Sequence, residues 1–306
     1  MQQSVNKRIL LSGASGFLGS ILSRALRLLQ YDTVEMGMRN GQIIVDITKS
    51  FSLTQSPFDV VIHAAGKAHT VPRSEAEKKQ FFQVNFEGTK NLCKALEGLA
   101  SLPKAFIFIS TVAVYGFDKG DNIAENSPLA GSTPYAKSKI LAEEWLANWC
   151  RIHKVTLSIL RLPLIAGPKP PGNLGAMING IKSGKYLSIG KADAQKSMVW
   201  AEDIASIIPK LTEVGGIYNL TDGVHPSFGE LEDAISSALG KKKPLKVPSW
   251  VAKCLAMVGD LAGAKSPINT NKLYKITSTL TFDDSKARQQ LGWQPTPVLS
   301  KIPEVI

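Results

Sequence analysis

Apolar positions in the first half of this chain alternate between two spacings. Short runs such as Lys7 to Ser12 (KRILLS), Thr33 to Met38 (TVEMGM), Phe58 to His63 (FDVVIH) and Ala105 to Ser110 (AFIFIS) are of strand length. Most are apolar at consecutive positions, as parallel strands covered on both faces are. Between them the apolar residues recur at helical spacing, as in Ile21, Leu22, Ala25, Leu26 and Leu29, and later Ile140, Leu141, Trp145 and Leu146. The alternation continues to about Arg161 and predicts an α/β fold, a doubly wound parallel sheet with a smaller α/β C-terminal substrate lobe. Residues 1–165 are expected to form the first domain, with a segment near 196–222 returning to it. Residues 166–306 are expected to be mainly the smaller lobe. The run Gly167 to Gly175 (GPKPPGNLG) is the expected crossing.

The first strand ends in Gly13-x-x-Gly16-x-x-Gly19, and a helix pattern follows at once. Glycines at such a turn allow close backbone approach, and a helix N-terminus offers unpaired N–H groups to a pyrophosphate. Gly13, Ser15, Gly16, Phe17, Leu18 and Gly19 are therefore the expected dinucleotide contacts of a Rossmann domain. NAD-selective sites place an acid at the end of the second strand. Here that position falls near Gly37, Glu35 comes too early, and Arg39 follows. A guanidinium there suits a 2′-phosphate, so NADP(H) is favoured and NAD(H) stays open. Asp46 and Ile47, after another short apolar run, are placed near the adenine.

Ser110 and Thr111 close the strand AFIFIS, at the sheet end where ligands of open α/β folds collect. Tyr135 and Lys139 stand four apart in a helical pattern and so share a face. A free tyrosine titrates near 10. A neighbouring ammonium and an oxidised nicotinamide would favour the phenolate and lower that value. Tyr135 is then the expected acid/base, Lys139 its cationic partner and Thr111 the hydroxyl facing the substrate oxygen.

With GASGFLG, HAAG at His63 to Gly66, Asn85 with Gly88-Thr89, STVAVYG at Ser110 to Gly116, YAKSK at Tyr135 to Lys139, VWAEDIA around Asp203, YNLTDG at Tyr218 to Gly223 and LGWQPTP near the end, the chain resembles the extended short-chain dehydrogenase/reductases. These include nucleotide-sugar epimerases, dehydratases and keto-reductases, and the resemblance covers nearly the whole chain. It implies that Tyr135 is the general acid/base, that Lys139 holds the nicotinamide ribose, and that Thr111 is the catalytic hydroxyl. It further places Ala64, Ala65, Gly66 and Ser110 along the cofactor, with Asn85 bracing the strands beside it. Asn173 and Leu174 resemble a nucleotide-contacting segment. Lys196 stands where such enzymes often carry an arginine for the sugar-nucleotide diphosphate.

Two departures bear on activity. Dehydratases of this kind follow the threonine with an Asp-Glu pair; here Val112 and Ala113 stand there and exchange no protons. Leu164 replaces an asparagine that many epimerases use on phosphate. The expectation is an enzyme that reduces a UDP- or dTDP-linked 4-keto(-6-deoxy) sugar with NADP(H). NAD-dependent 4-epimerisation is the alternative, and a cofactor-binding sensor without turnover is a second. The C-terminal pattern resembles a subgroup serving bacterial polysaccharide biosynthesis.

Composition adds less. The net charge of +11 attracts anionic sugar nucleotides. Lys241-Lys242-Lys243 has no interleaved aromatics and is expected to be a solvated turn, with no nucleic-acid partner. Cys93, Cys150 and Cys254 have no metal spacing and fit a reduced cytoplasm. The apolar stretch Trp250 to Ala262 is too short to span a bilayer. Packing within the lobe is its default, with a membrane surface or a partner subunit as alternatives. No signal peptide is expected before Lys7-Arg8. His63 is expected to be structural, whereas Lys67 and His69 fall where a substrate phosphate or sugar can be reached. Leu92, Leu96 and Leu141 belong either to the core or to a homodimer surface.

Overall fold

The computed structural model describes residues 7–68, 70–261 and 269–306. His69 lies outside the described residues. The chain opens with strand β1 (Arg8–Ser12), helix α1 (Phe17–Leu28), and strands β2 (Asp32–Gly37), β3 (Ile43–Ile44) and β4 (Val60–His63). Helices α2 (Glu75–Phe82) and α3 (Gly88–Glu97) follow, then β5 (Ala105–Thr111) and the long helix α4 (Pro134–His153). Together with strands Thr156–Leu162 and Gly216–Asn219 these build one seven-stranded parallel sheet. Its order is Gly216–Asn219, Thr156–Leu162, β5, β4, β1, β2, β3.

Continuous apolar runs work here because helices cover both faces. Ile9, Leu10 and Leu11 are all fully buried although they point alternately up and down. One face packs α1 and the segment Ala201–Leu211 against Ile9, Leu11, Ile62 and Ile107. The other packs α3 and α4 against Leu10, Val61, Phe106 and Phe108. Leu92 and Leu96 are fully buried in this second layer, and only Leu141 of the trio considered for a dimer surface is exposed. Cys93 and Cys150 lie in the same layer, and burial pushes both thiols up, Cys150 to about 12.

The smaller lobe has its own core, built by α5 (Gly172–Lys182), Trp200, Leu231, Ile235 and Ile302. Three two-stranded parallel ladders stitch it together: Leu164–Ala166 with Met198–Trp200, Leu187–Ile189 with Leu245–Val247, and Gly120–Ile123 with Leu280–Phe282. The chain returns after this lobe. Helix Ser285–Leu291 and Trp293 pack into the first core, so the C-terminal third is shared between the two units. Among the described residues no helix is long and apolar enough to cross a membrane.

Candidate active site

The glycine loop is shaped by contacts too close for any side chain. Gly13 has φ +74°, and a Cβ there would stand 2.5 Å from the Ala65 nitrogen. A Cβ on Gly19 would stand 2.1 Å from the Gly13 carbonyl oxygen. The loop therefore sits directly on the turn His63-Ala64-Ala65-Gly66, which is tied back by Ala64 N–H donating to Ser12 O and Ala65 N–H to Ser12 Oγ. Helix α1 has Gly16 at its N-cap, with no capping side chain and no acid in its first turn. Ser15 and Gly16 are exposed at that end, while Leu18 is buried in the core. A bare cradle opening on an uncapped helix end fits a dinucleotide pyrophosphate.

At the end of β2 there is no carboxylate for a ribose. The Glu35 carboxylate accepts from Ser23 Oγ and Arg27, while its backbone N–H donates to Gln42 Oε1. Gly37 lies against Asn40 O and Ser15 Oγ, which leaves no room for a side chain, and Arg39 is exposed just beyond. Asp46 accepts from Thr48 N–H at 3.0 Å and Thr48 Oγ1 at 2.7 Å, and these bonds hold its carboxyl below the usual range. Its side chain thus caps its own turn. Ile47 packs under Gly88, where a Cβ would stand 2.8 Å from Ile47 Cδ1.

His63 is fully buried between Ser12 Oγ on Nδ1 and Thr89 Oγ1 on Nε2. Burial, then the nearby Lys139, lowers its pKa to about 3, so it is neutral. Asn85 sits on a π-helical turn, Gln83–Glu87, between α2 and α3. Its Oδ1 accepts from Lys67 N–H at 2.7 Å, and its Nδ2 donates to Lys67 O and Ser138 Oγ. One buried amide thereby fixes the loop after β4 to α4.

Tyr135 starts α4, whose N-cap Thr133 accepts from Ala136 N–H and whose first position is Pro134. Thr111 is the polar side chain that acts on the Tyr135 hydroxyl. Sequence reasoning gives Lys139 the task of lowering the phenol. In the structure burial dominates and raises the Tyr135 pKa, and the Thr111 hydrogen bond is the opposing influence. The Lys139 ammonium is instead directed at Ile109 O, 2.8 Å away, and lies 4.5 Å from the Phe108 ring centroid. Burial lowers Lys139 to about 8, with Glu143 working against that. A Cβ on Gly66 would stand 3.4 Å from Lys139 Nζ, so the HAAG turn and the Tyr-Lys face border one space.

A cleft of about 260 Å³ opens beside Tyr135, lined by Thr70, Val71, Phe81, Leu164, Gly172 and Asn173. Phe81 faces Tyr135 with ring centroids 6.2 Å apart, and Lys67 Nζ stands 5.6 Å from the Phe81 ring. Leu174 is turned into the lobe core and does not line the cleft. Lys196 lies apart, beside Asp118 and Lys275. Burial lowers it to about 8.

Beneath the site runs a buried polar network that sequence reasoning missed. Ser110 Oγ donates to Glu143, which pairs with Arg161 at 2.7 Å. Arg161 also donates to Tyr115 Oη at 3.1 Å, and that hydroxyl donates to Asn219 Oδ1 at 2.7 Å. The available signal was Glu143 itself, a carboxylate four residues after Lys139 on the inward face of α4.

A sequence model of the NAD dependent epimerase/dehydratase family matches residues 9–220, from β1 through the last strand of the sheet. The chain belongs to that family. It is similar to the N-acetyl-alpha-D-glucosaminyl-diphospho-ditrans,octacis-undecaprenol 4-epimerase of Escherichia coli O157:H7, at 29% identity over 92% of this chain and 89% of the relative. It is likewise similar to the UDP-glucose 4-epimerase of Vibrio cholerae, at 28% identity over 96% and 93%. Among solved structures, RMD from Pseudomonas aeruginosa complexed with NADPH shares the fold, with a TM-score of 0.74, 20% identity and 97% coverage of both chains. As a family member the protein is an enzyme of NAD(P)-dependent sugar chemistry.

Proposed function

We propose that the protein is an NADP(H)-dependent reductase of a diphosphate-linked 4-keto sugar. The observation that carries this reading is the end of β2, where Glu35 is turned to Ser23 and Arg27 and the exposed Arg39 takes the place of a ribose-binding acid. Gly13, Gly16 and Gly19 would hold the pyrophosphate, Ala64 to Gly66 would lie along the cofactor, and Lys139 would bind the nicotinamide ribose. When bound, the nicotinamide supplies hydride to the sugar carbonyl carbon. Tyr135 Oη gives its proton to the carbonyl oxygen, and Thr111 Oγ1 donates a hydrogen bond to that oxygen. A phenol held protonated by burial suits the acid that a reduction needs. Val112 and Ala113 offer no proton-exchanging pair for dehydration.

The sugar would occupy the cleft at Phe81, Leu164 and Asn173, whose lining does not include Lys196, the residue the resemblance offers for the diphosphate. Residues 1–165 with the return near 196–222 serve the cofactor and 166–306 mainly the substrate, in a cytoplasmic enzyme. A homodimer through the exposed side of α4 accords with Leu141 but not with Leu92 or Leu96.

A second reading, 4-epimerisation, is favoured by the activities of the two relatives named above. Their substrates share a sugar 1-diphosphate and differ in the group beyond it. Absorbance of reduced nicotinamide separates the readings. Stoichiometric NADPH consumption with a 4-keto-6-deoxy UDP-sugar supports reduction. Interconversion of UDP-hexoses with catalytic NAD⁺ and no net consumption would replace it with epimerisation.

A further inference from the structure

The cleft beside Tyr135 is chemically lopsided. Val71, Phe81 and Leu164 in its lining are apolar, and none of the described residues that line it is charged. Apart from the Tyr135 phenol, only Thr70 and Asn173 bring side chains that can hydrogen-bond. The apolar part is held firmly. Phe81 is 1% exposed, with the Tyr135 ring and the Lys67 ammonium as neighbours of its own ring. Lys67 in turn is fixed at both its N–H and its carbonyl by the Asn85 amide. Leu164 sits on a strand paired to Met198 and packs partly into the core of the smaller lobe.

A hexose that reacts at C4 carries a hydroxyl at C3 on one side of that carbon and the C6 group, borne by C5, on the other. With the C4 oxygen at Tyr135 Oη, a C3 hydroxyl has Thr70 or Asn173 to meet, and the C6 group is left to the apolar wall. A hydroxymethyl or carboxylate there would give up water without gaining a partner, whereas a methyl loses nothing. We propose that Val71, Phe81 and Leu164 are specificity-determining residues, which select a sugar whose C6 is a methyl group over one whose C6 bears a hydroxyl or a carboxylate. This selection rests on the reading that the substrate is a diphosphate-linked sugar reacting at C4. It applies to reduction and to epimerisation alike, because the same C4 oxygen meets Tyr135 in both.

Calorimetric titration of the full chain tests this, with the protein saturated by NADPH or NADH, whichever binds, so that no hydride leaves the sugar. The probes are UDP-6-deoxyglucose, UDP-glucose and UDP-glucuronate, and their dTDP counterparts. The 6-deoxy sugar is expected to bind roughly 10- to 100-fold more tightly than the hexose on the same nucleotide, and the uronate more weakly still. Leu164→Asn should narrow or reverse that ratio, whereas a purely structural loss would weaken all three sugars alike. Val71→Ser should narrow it too, at a position 78% exposed where folding is not at stake. Equal affinity for the 6-deoxy sugar and the hexose, or a ratio unmoved by both variants, overturns selection by this wall and leaves the diphosphate-sugar reading standing. Tightest binding of the uronate overturns it in favour of Lys67 as the group that meets C6. Binding of none of these sugar nucleotides overturns it together with the reading beneath it.

Discussion

Glu143 and Arg161 form an ion pair inside the protein, 2.7 Å apart with side chains only 4% and 3% exposed. It links α4, which carries Tyr135 and Lys139, to the strand beside β5, which carries Thr111. Removing one partner leaves the other charge buried and unmatched. Glu143→Gln is expected to cost about 3–5 kcal/mol in urea unfolding, and replacing both residues by leucine should cost less than the worse single change. Because Glu143 supports the Lys139 charge, Glu143→Gln should also move the alkaline limb of the activity profile to lower pH.

Tyr135→Phe keeps the ring against Phe81 and removes only the proton donor. Turnover is expected to fall by about 10²–10⁴, with NADPH affinity unchanged in a fluorescence titration. Full turnover in this variant would remove Tyr135 from the mechanism.

Arg39→Gln should weaken NADPH binding roughly 10- to 100-fold, the worth of one charged hydrogen bond to phosphate, and leave NADH binding as it was. Equal loss for both cofactors would show that Arg39 does not read the 2′-phosphate. The reciprocal change, Gly37→Asp, is obstructed because its Cβ would lie 2.6 Å from Asn40 O.

His63 makes stability depend on acidity. Its folded pKa, about 3, lies below the ordinary 6.5. Above 6.5 both states are neutral and nothing is lost. From about 6.5 down towards 3 the unfolded chain takes up a proton that the folded protein refuses, so stability falls as pH falls. The loss should reach roughly 2 kcal/mol by about pH 5. Urea midpoints across this range should slope less in His63→Gln than in the unaltered chain.

Gly19→Ala introduces one methyl 2.1 Å from Gly13 O. Helix α1 must then withdraw from the loop, at a cost of about 1–3 kcal/mol. Loss of NADPH binding in calorimetry is the expected outcome, whereas Gly98→Ala, whose nearest contact is 3.4 Å, should bind as before.

The strand runs, the glycine spacing and the i, i+4 pair Tyr135–Lys139 were legible in the sequence because each is a local periodicity, and both the parallel sheet and the cradle follow from them. Leu92 and Leu96 were ambiguous for the same reason: periodicity marks an apolar face without saying what covers it. The direction of the Tyr135 shift was not legible. It depends on how much protein surrounds the phenol and on Lys139 being drawn to Ile109 O, and both are set by elements distant in sequence. The Ser110–Glu143–Arg161–Tyr115–Asn219 network likewise exists only where α4 crosses β5 and its neighbouring strands. By itself the sequence determined the sheet, the glycine loop and the Tyr-Lys face, since these need only neighbours along the chain. Charge states, the buried network and the cleft at Leu164 and Asn173 were decided by tertiary packing, which alone sets solvation and the distances between remote groups.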